Sequence, residues 1–297
     1  MRHVALVGPT ASGKSAIALD VARELPGVEI VAVDSMQVYR GLDIGTAKPT
    51  PAERREIPHH LLDLVDVEEE FSVAEFQRAA RAVIDDIAAR GKRPLLVGGT
   101  GLYLRAVVDD LDLPGQFPSV RAELAAEADV ERLHARLTEL DPVAASRTTT
   151  TNRRRIERAL EVTVGSGRPF SSYGPGLTSY APGPVLVGVD VPLDELDRRI
   201  EARVHAMLDE GLLDEVRSLQ GRALSRTAAR ALGYEELLAH LAGASSLEEA
   251  VAATVQRTRR LARRQLRWFR RDPRVTWSAP TEAGVVVTAA LGDTGWR

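Results

Sequence analysis

The run Gly8-Pro9-Thr10-Ala11-Ser12-Gly13-Lys14-Ser15 has the residue types and spacing of a phosphate-binding loop, G-x-x-x-x-G-K-[ST]. It follows the apolar run Val4–Val7 and leads into a helical pattern over residues 11–25. In such a strand–loop–helix unit, backbone N–H groups and the helix N-terminus converge on phosphate oxygens. The Lys14 ammonium adds a positive charge, and the Ser15 hydroxyl is suited to bind Mg²⁺. The motif therefore predicts a site for a phosphate compound and leaves the compound open.

Asp34 is a candidate catalytic carboxylate because it closes a second apolar strand pattern, Val28–Val33. A carboxylate at such a position is costly unless it is used. Many P-loop enzymes carry an acid at the end of another core strand, but here Leu95-Leu96-Val97 continues into Gly98-Gly99-Thr100-Gly101 without one. Asp34 can therefore bind Mg²⁺ or accept a proton from a nucleophile. The Thr100 hydroxyl can donate to a phosphoryl oxygen, since the preceding glycines allow close backbone approach.

Arginine is concentrated in places that suit an anionic partner. Arg230 lies in Arg230-Ala231-Leu232-Gly233-Tyr234, where its guanidinium can bind a diphosphate through two hydrogen bonds or form a surface salt bridge. Two further clusters are Arg153-Arg154-Arg155 with Arg158, and a run of arginines over residues 257–271. Basic faces on a chain of net charge -3 indicate a polyanion bound in one orientation. The alternative is a solvated helix whose arginines pair with acidic neighbours.

Composition indicates a soluble globular protein, with 44% hydrophobic and 27% charged residues in a chain of 297. The absence of cysteine excludes disulfides and thiolate sites. No apolar stretch approaches the roughly 20 residues of a membrane span, and the first strand pattern leaves no room for a targeting segment. We expect a cytoplasmic monomer that does not contact membranes.

Apolar strand patterns alternate with helical patterns, which predicts an α/β fold with a P-loop-type parallel sheet flanked by helices. The phosphate-binding loop, Asp34-Ser35 and Gly98–Gly101 would then meet at the carboxyl edge of the sheet. Residues 1–111 are predicted to form the first part of this core and residues 185–297 the second, which includes a basic C-terminal helix. Residues 112–184, with breaks such as Pro114-Gly115 and Pro175-Gly176, read as a smaller, mainly helical insertion domain. Residues 275–290 have weak strand character.

Taken together, these segments resemble the tRNA dimethylallyltransferase (isopentenyltransferase) family. The likeness covers nearly the whole chain in the family's order. A C-terminal signature is similar as well, with Arg264 where the family more often has lysine. The motifs that carry it are Gly8–Ser15, Asp34-Ser35-Met36-Gln37-Val38-Tyr39, Gly45–Pro49, Pro58–Asp63, Gly98–Tyr103, Arg230–Tyr234 and Arg259 with Arg263-Arg264-Gln265 and Trp268.

The resemblance implies transfer of a dimethylallyl group from dimethylallyl diphosphate to N6 of the adenosine 3′-adjacent to the anticodon of tRNA. Asp34 would be the general base and Thr100 a second catalytic residue. The diphosphate would be bound by Gly8, Thr10, Ala11, Ser12, Gly13, Lys14, Ser15 and Arg230, with Mg²⁺ on Ser15. The anticodon stem-loop would contact Asp34, Ser35, Met36, Gln37, Arg121, Arg154, Arg155, Arg158, Gly233 and Tyr234, the last by stacking.

Three other functions stay open from the residues. A small-molecule kinase would transfer phosphate from ATP, although the missing second acid disfavours it. A related prenyltransferase would use free adenine nucleotides, although the arginine clusters favour a larger acceptor. A P-loop RNA-binding protein would bind without catalysis.

Overall fold

A single parallel sheet forms the centre of the larger of two units in the chain. The computed structural model describes residues 3–173 and 179–292. The strands are β1 (Val4–Val7), β2 (Val28–Val33), β3 (His59–His60), β4 (Arg93–Gly98), β5 (Val185–Val189) and β6 (Val275–Ser278). They pair in the order β3-β2-β4-β1-β5-β6, every pair parallel. The predicted parallel α/β sheet is confirmed.

Helices cover both faces of this sheet. Side chains of β1 alternate, so that Ala5 and Val7 pack into one hydrophobic cluster with Phe76 and Phe269, while Val4 and Leu6 pack into the other. The helices of this larger unit are α1 (Lys14–Glu24), α2 (Pro51–Glu56), α3 (Val73–Ala89), α4 (Gly101–Val108), α9 (Leu193–Asp209), α10 (Leu212–Arg217), α11 (Tyr234–Leu241), α12 (Leu247–Phe269) and α13 (Pro280–Gly292). Within the described residues, no helix is long and apolar enough to cross a membrane.

Strand register brings three loops to one edge of the sheet. Gly98 at the end of β4 is paired with Val7 on one side and with Val33 on the other. The phosphate-binding loop, Asp34 and Gly99 therefore leave neighbouring strands together. A Cβ on Gly98 would lie 2.0 Å from the Val33 carbonyl oxygen, so only glycine fits this register.

Asp109–Tyr180 form the second compact unit, and Met1–Val108 with Ala181–Arg297 form the first. The sequence-based limits of the insertion were 112 and 184. Its helices are α5 (Pro118–Ala126), α6 (Val130–Leu140), α7 (Pro142–Ser146) and α8 (Arg153–Ser166), packed around a small apolar core. The break predicted at Pro175-Gly176 lies outside the described residues.

Two element boundaries differ from the sequence patterns. Residues 275–290 are not one strand: β6 pairs with β5, and α13 begins at Pro280. Proline lacks the N–H that a strand donates and is favoured in the first turn of a helix. Helix α1 begins at Lys14 rather than at residue 11, because Gly13 has a left-handed backbone with φ 92°.

Candidate functional site

A cavity of about 790 Å³ opens where the three loops meet at the carboxyl edge of the sheet. It brings together most of the residues predicted for the core unit. Gly8, Ser12, Gly13 and Tyr234 do not line it but lie in the segments that do. The predicted residues in its wall are Thr10, Ala11, Lys14, Ser15, Asp34, Ser35, Met36, Gln37, Thr100, Arg230 and Gly233.

The phosphate-binding loop is shaped by left-handed backbone at Ala11 (φ 62°) and Gly13 (φ 92°). Such turns direct successive N–H groups to one side, which suits an anion. The Lys14 ammonium donates to the Pro9 carbonyl at 3.2 Å. One loop amide is already used: the Thr10 N–H donates to Gln265 Oε1 on α12 at 2.8 Å. One N–H donor of the loop is therefore held by a side chain of α12 in this structure.

Lys14 carries a charge that the protein partly disfavours. The pKa of Lys14 is lowered from 10.5 to about 8, chiefly by burial of the ammonium and in part by the Arg203 charge, while the Asp34 carboxylate acts in the opposite direction. Lys14 is thus a cation at neutral pH that gains from an arriving anion.

Asp34 and Thr100 each keep one hydrogen-bonding group for a ligand. Asp34 is half-buried, and its Oδ1 accepts the Met36 N–H at 2.8 Å. Its Oδ2 makes no hydrogen bond to any residue that the structure describes. Thr100 Oγ1 accepts the Ser35 N–H at 3.3 Å, which leaves the hydroxyl proton to be donated. The carboxylate can accept a proton and the hydroxyl can donate one in the same cavity.

Arg203 is a site residue that the sequence patterns did not single out. It lies on α9 beside Val204, on the side of the helix where Ile200 and Met207 pack into the core, and it lines the cavity. Among the described residues it has no ion pair or hydrogen bond. Burial lowers the pKa of Arg203, and the Asp34 carboxylate opposes this. An arginine within the apolar face of a predicted amphipathic helix is the signal that could have found it.

The arginines of α12 differ in their partners, and Arg257 both lines the cavity and pairs with Glu235. Arg259 and Arg263 form ion pairs with Glu201 and Asp197, as a solvated helix would. Arg260 and Arg264, like the exposed Arg230, line the cavity. Each interpretation of the basic run therefore describes one part of it.

Tyr234 does not present its ring as the stacking role requires. The residue is 1% exposed, and its hydroxyl donates to Glu215 Oε1 at 2.6 Å. The ring packs against Gly45, where an added Cβ would lie 2.5 Å from it. In this structure Tyr234 supports the wall of the cavity and is not a stacking surface.

Within the insertion, some of the arginines predicted to contact RNA are exposed and others are held in ion pairs. Arg154 and Arg155 are exposed on α8. Arg121 and Arg158 instead form ion pairs with the buried Glu161, and Arg158 also donates to the carbonyls of Pro114 and Gly115. The first two are available to bind phosphate, while the other two stabilise the insertion.

Comparisons with known proteins agree over almost the whole chain. A protein-family model described as IPP transferase matches residues 37–272. A tRNA dimethylallyltransferase of Streptomyces avermitilis is 54% identical over 281 residues, which are 93% of this chain and 89% of the relative. The tRNA isopentenylpyrophosphate transferase of Bacillus halodurans has a structure similar to this one, with a TM-score of 0.71 and 40% identity over 97% of this chain and 95% of its own.

A more distant structure extends the likeness. A eukaryotic dimethylallyltransferase, solved acting on tRNA, superimposes with a TM-score of 0.79 at 25% identity, over 95% of this chain and 75% of that one. The similarity therefore spans the sheet, the insertion and the cavity-lining segments together.

Proposed function

Since the chain belongs to the IPP transferase family, we propose that it transfers a dimethylallyl group from dimethylallyl diphosphate to N6 of the adenosine 3′-adjacent to the anticodon of tRNA. The observation that carries this proposal is one cavity holding a phosphate-binding loop and the carboxylate of Asp34. Asp34 is the one acidic side chain among the described residues that line this cavity, and Asp190, which follows β5, instead pairs with Arg270. Alkyl transfer with diphosphate as leaving group needs a base for the nucleophile and no hydrolytic acid.

Cations and backbone amides in the cavity wall would bind the leaving diphosphate. Lys14, Arg203 and Arg230 line the cavity, and the N-terminus of α1 adds oriented N–H groups. These groups stabilise the negative charge that grows on the diphosphate as the C–O bond breaks. The Thr100 hydroxyl would donate to the same oxygens.

Mg²⁺ fits this site as an ion shared with the diphosphate. The described residues contain no cluster of three histidine, cysteine or acidic side chains that could hold a metal by themselves. Mg²⁺ commonly takes one or two protein oxygens and completes its shell with phosphate and water. The exposed Ser15 hydroxyl, which lines the cavity, would be its protein ligand, and the bound ion would add positive charge beside the diphosphate.

Asp34 would accept the proton that the nucleophile loses. The adenine N6 amine is weakly nucleophilic because its lone pair is delocalised into the ring. As the N6–C bond forms and the C–O bond breaks, one N6 proton passes to Asp34 Oδ2. A base placed in this way contributes about 10²–10⁴ in rate.

The acceptor base must leave the stack of the anticodon loop to reach this cavity. The exposed Arg154 and Arg155 of the insertion, and Arg260 and Arg264 on α12, would offer charges to its phosphates. We therefore expect RNA affinity to fall steeply with added salt.

The direct test is incubation of the protein with dimethylallyl diphosphate, Mg²⁺ and an anticodon hairpin, followed by mass spectrometry of the nucleosides. We expect dimethylallyladenosine at the predicted position. Parallel reactions replace the hairpin with AMP, or the prenyl donor with labelled ATP and candidate small-molecule acceptors. Prenylated AMP without prenylated RNA, a phosphorylated product, or RNA binding without transfer would each contradict the proposal in favour of the corresponding alternative.

The lowered pKa of Lys14 predicts a pH dependence of donor use. Lys14 is charged below its pKa of about 8 and loses the charge above it, so kcat/KM for dimethylallyl diphosphate should fall as pH rises from 7 to 9.5. Lys14→Arg keeps the charge throughout and should flatten the profile. Steady-state rates at saturating hairpin measure both. An equal decline in Lys14→Arg would assign the pH dependence to another group.

A further inference from the structure

Resting on the proposed function, we infer that Gln37 presents its side-chain carbonyl oxygen to the N6 amine of the target adenine, and that Glu215 is the positioning residue that fixes this orientation. The inference concerns one loop of the cavity wall, residues 43–47, and the two side chains that connect to it.

The amide of Gln37 is oriented by two backbone carbonyls. Its Nε2 donates to the Thr46 carbonyl at 3.0 Å and to the Ala47 carbonyl at 3.2 Å. A side-chain amide has two N–H donors, so both are used. Its Oε1 accepts no hydrogen bond from the described residues. Because Gln37 lines the cavity, the group it can still offer a ligand is a hydrogen-bond acceptor.

The Gln37 Oε1 acceptor can form a hydrogen bond with only one group of the adenine base, the N6 amine. In a nucleoside, adenine carries a single N–H donor group, the N6 amine, with two protons. Asp34 takes the proton that is lost, and Gln37 Oε1 would accept the hydrogen bond of the proton that stays on N6 in the product. Hypoxanthine has a carbonyl at this position, and two facing acceptors repel. Gln37 would therefore help to select adenine and to orient its amine.

Glu215 on α10 holds the loop that orients Gln37. Its Oε2 accepts the Asp43 N–H at 3.0 Å and the Ile44 N–H at 2.8 Å. Its Oε1 accepts the Gly45 N–H at 3.2 Å and the Tyr234 hydroxyl at 2.6 Å. Four donors converge on one carboxylate, so removing it leaves four groups to find other partners.

Lys48 secures the other end of the same loop. Its ammonium is buried and donates to the Tyr39 carbonyl at 2.6 Å, to Asp43 Oδ1 at 2.7 Å and to Asp63 Oδ1 at 2.5 Å. With both ends held, the Thr46 and Ala47 carbonyls have little freedom, and the Gln37 amide follows them.

A double-mutant cycle separates this role from a general structural one. Gln37→Met, Glu215→Ala and the double variant are compared with the wild type for kcat/KM of an anticodon hairpin. We expect Gln37→Met to lower it by about 10–100-fold, as lost hydrogen bonding to a substrate group does. Glu215→Ala should lower it by a smaller factor, and the double variant should fall no further than Gln37→Met. KM for dimethylallyl diphosphate should stay unchanged.

Asp214→Ala is the matched control, since Asp214 is the neighbouring acid on α10 and pairs with Arg217 instead of the loop. It should behave as the wild type. If Glu215→Ala does not fold, Tyr234→Phe removes one of the four hydrogen bonds, keeps the ring, and enters the same cycle with a smaller expected loss.

A second measurement does not depend on turnover. The wild type should bind an adenosine hairpin more tightly than the same hairpin with inosine at the target position, and Gln37→Met should reduce that ratio. Unchanged discrimination and kcat/KM in Gln37→Met would overturn the acceptor role, and losses that multiply in the double variant would overturn the positioning role. A wild type that transfers nothing would instead contradict the proposed function.

Discussion

Replacing Asp34 with asparagine should lower kcat by about 10²–10⁴ and leave the Kd for the anticodon hairpin within about twofold. Asparagine can keep the hydrogen bond from the Met36 N–H through Oδ1. It replaces the other oxygen with an NH₂ group, which cannot accept the N6 proton. The substitution should therefore slow the transfer step and leave RNA binding unchanged. Single-turnover rates with enzyme in excess measure the step directly.

Asp20→Asn provides a control on α1, where Asp20 is exposed and pairs with Arg23. It should transfer the dimethylallyl group at the wild-type rate. A wild-type single-turnover rate in Asp34→Asn would remove Asp34 as the base, and a matched loss of RNA affinity would make it a binding residue.

The second large effect is expected at Arg203. Arg203→Gln should lower kcat/KM for dimethylallyl diphosphate by about 10²–10³, because it removes a preformed charge from the site of the leaving group. Hairpin affinity should change little. The same substitution should also raise the pKa of Lys14, since the Arg203 charge lowers it, and so move the decline of kcat/KM to higher pH.

Arg198→Gln is the comparison variant, since Arg198 lies on the same helix α9 as Arg203. Arg198 is exposed and pairs with Asp194 one turn away, and such surface pairs contribute about 0–1 kcal/mol. It should leave the rates unchanged. Equal rates for Arg203→Gln and the wild type would exclude Arg203 from the diphosphate site.

The sheet was predictable because its strands are local apolar runs, but its order was not. β4 lies between β1 and β2 through pairing with residues far away in the chain, and no periodicity encodes that choice. β3 has two residues, too few to show alternation. The edge at which the loops meet followed from parallel topology alone.

Within the site, the residues that could be predicted are those that belong to short motifs of adjacent residues. The phosphate-binding loop and Asp34 carry their signal in adjacent residues. The Gln265 bond to Thr10 joins distant positions, so it does not follow from spacing along the chain. Arg203 has only the weaker signal of an arginine on the apolar face of α9. The stacking role of Tyr234 was implied by the family resemblance. In the structure its ring is buried against Gly45 and supports the cavity wall.

The interleaved strand order has a consequence for biosynthesis. β1 is translated before both of its lateral partners, β4 and β5, and ribosomes add about 5–20 residues per second. The apolar strand β1 therefore remains without a strand partner for on the order of 10 s, until β4 has been synthesised. The loop that follows β1 gains the Gln265 contact only after α12 has been synthesised. The cavity is therefore completed late, because its wall combines the phosphate-binding loop with residues of α12 that are synthesised much later.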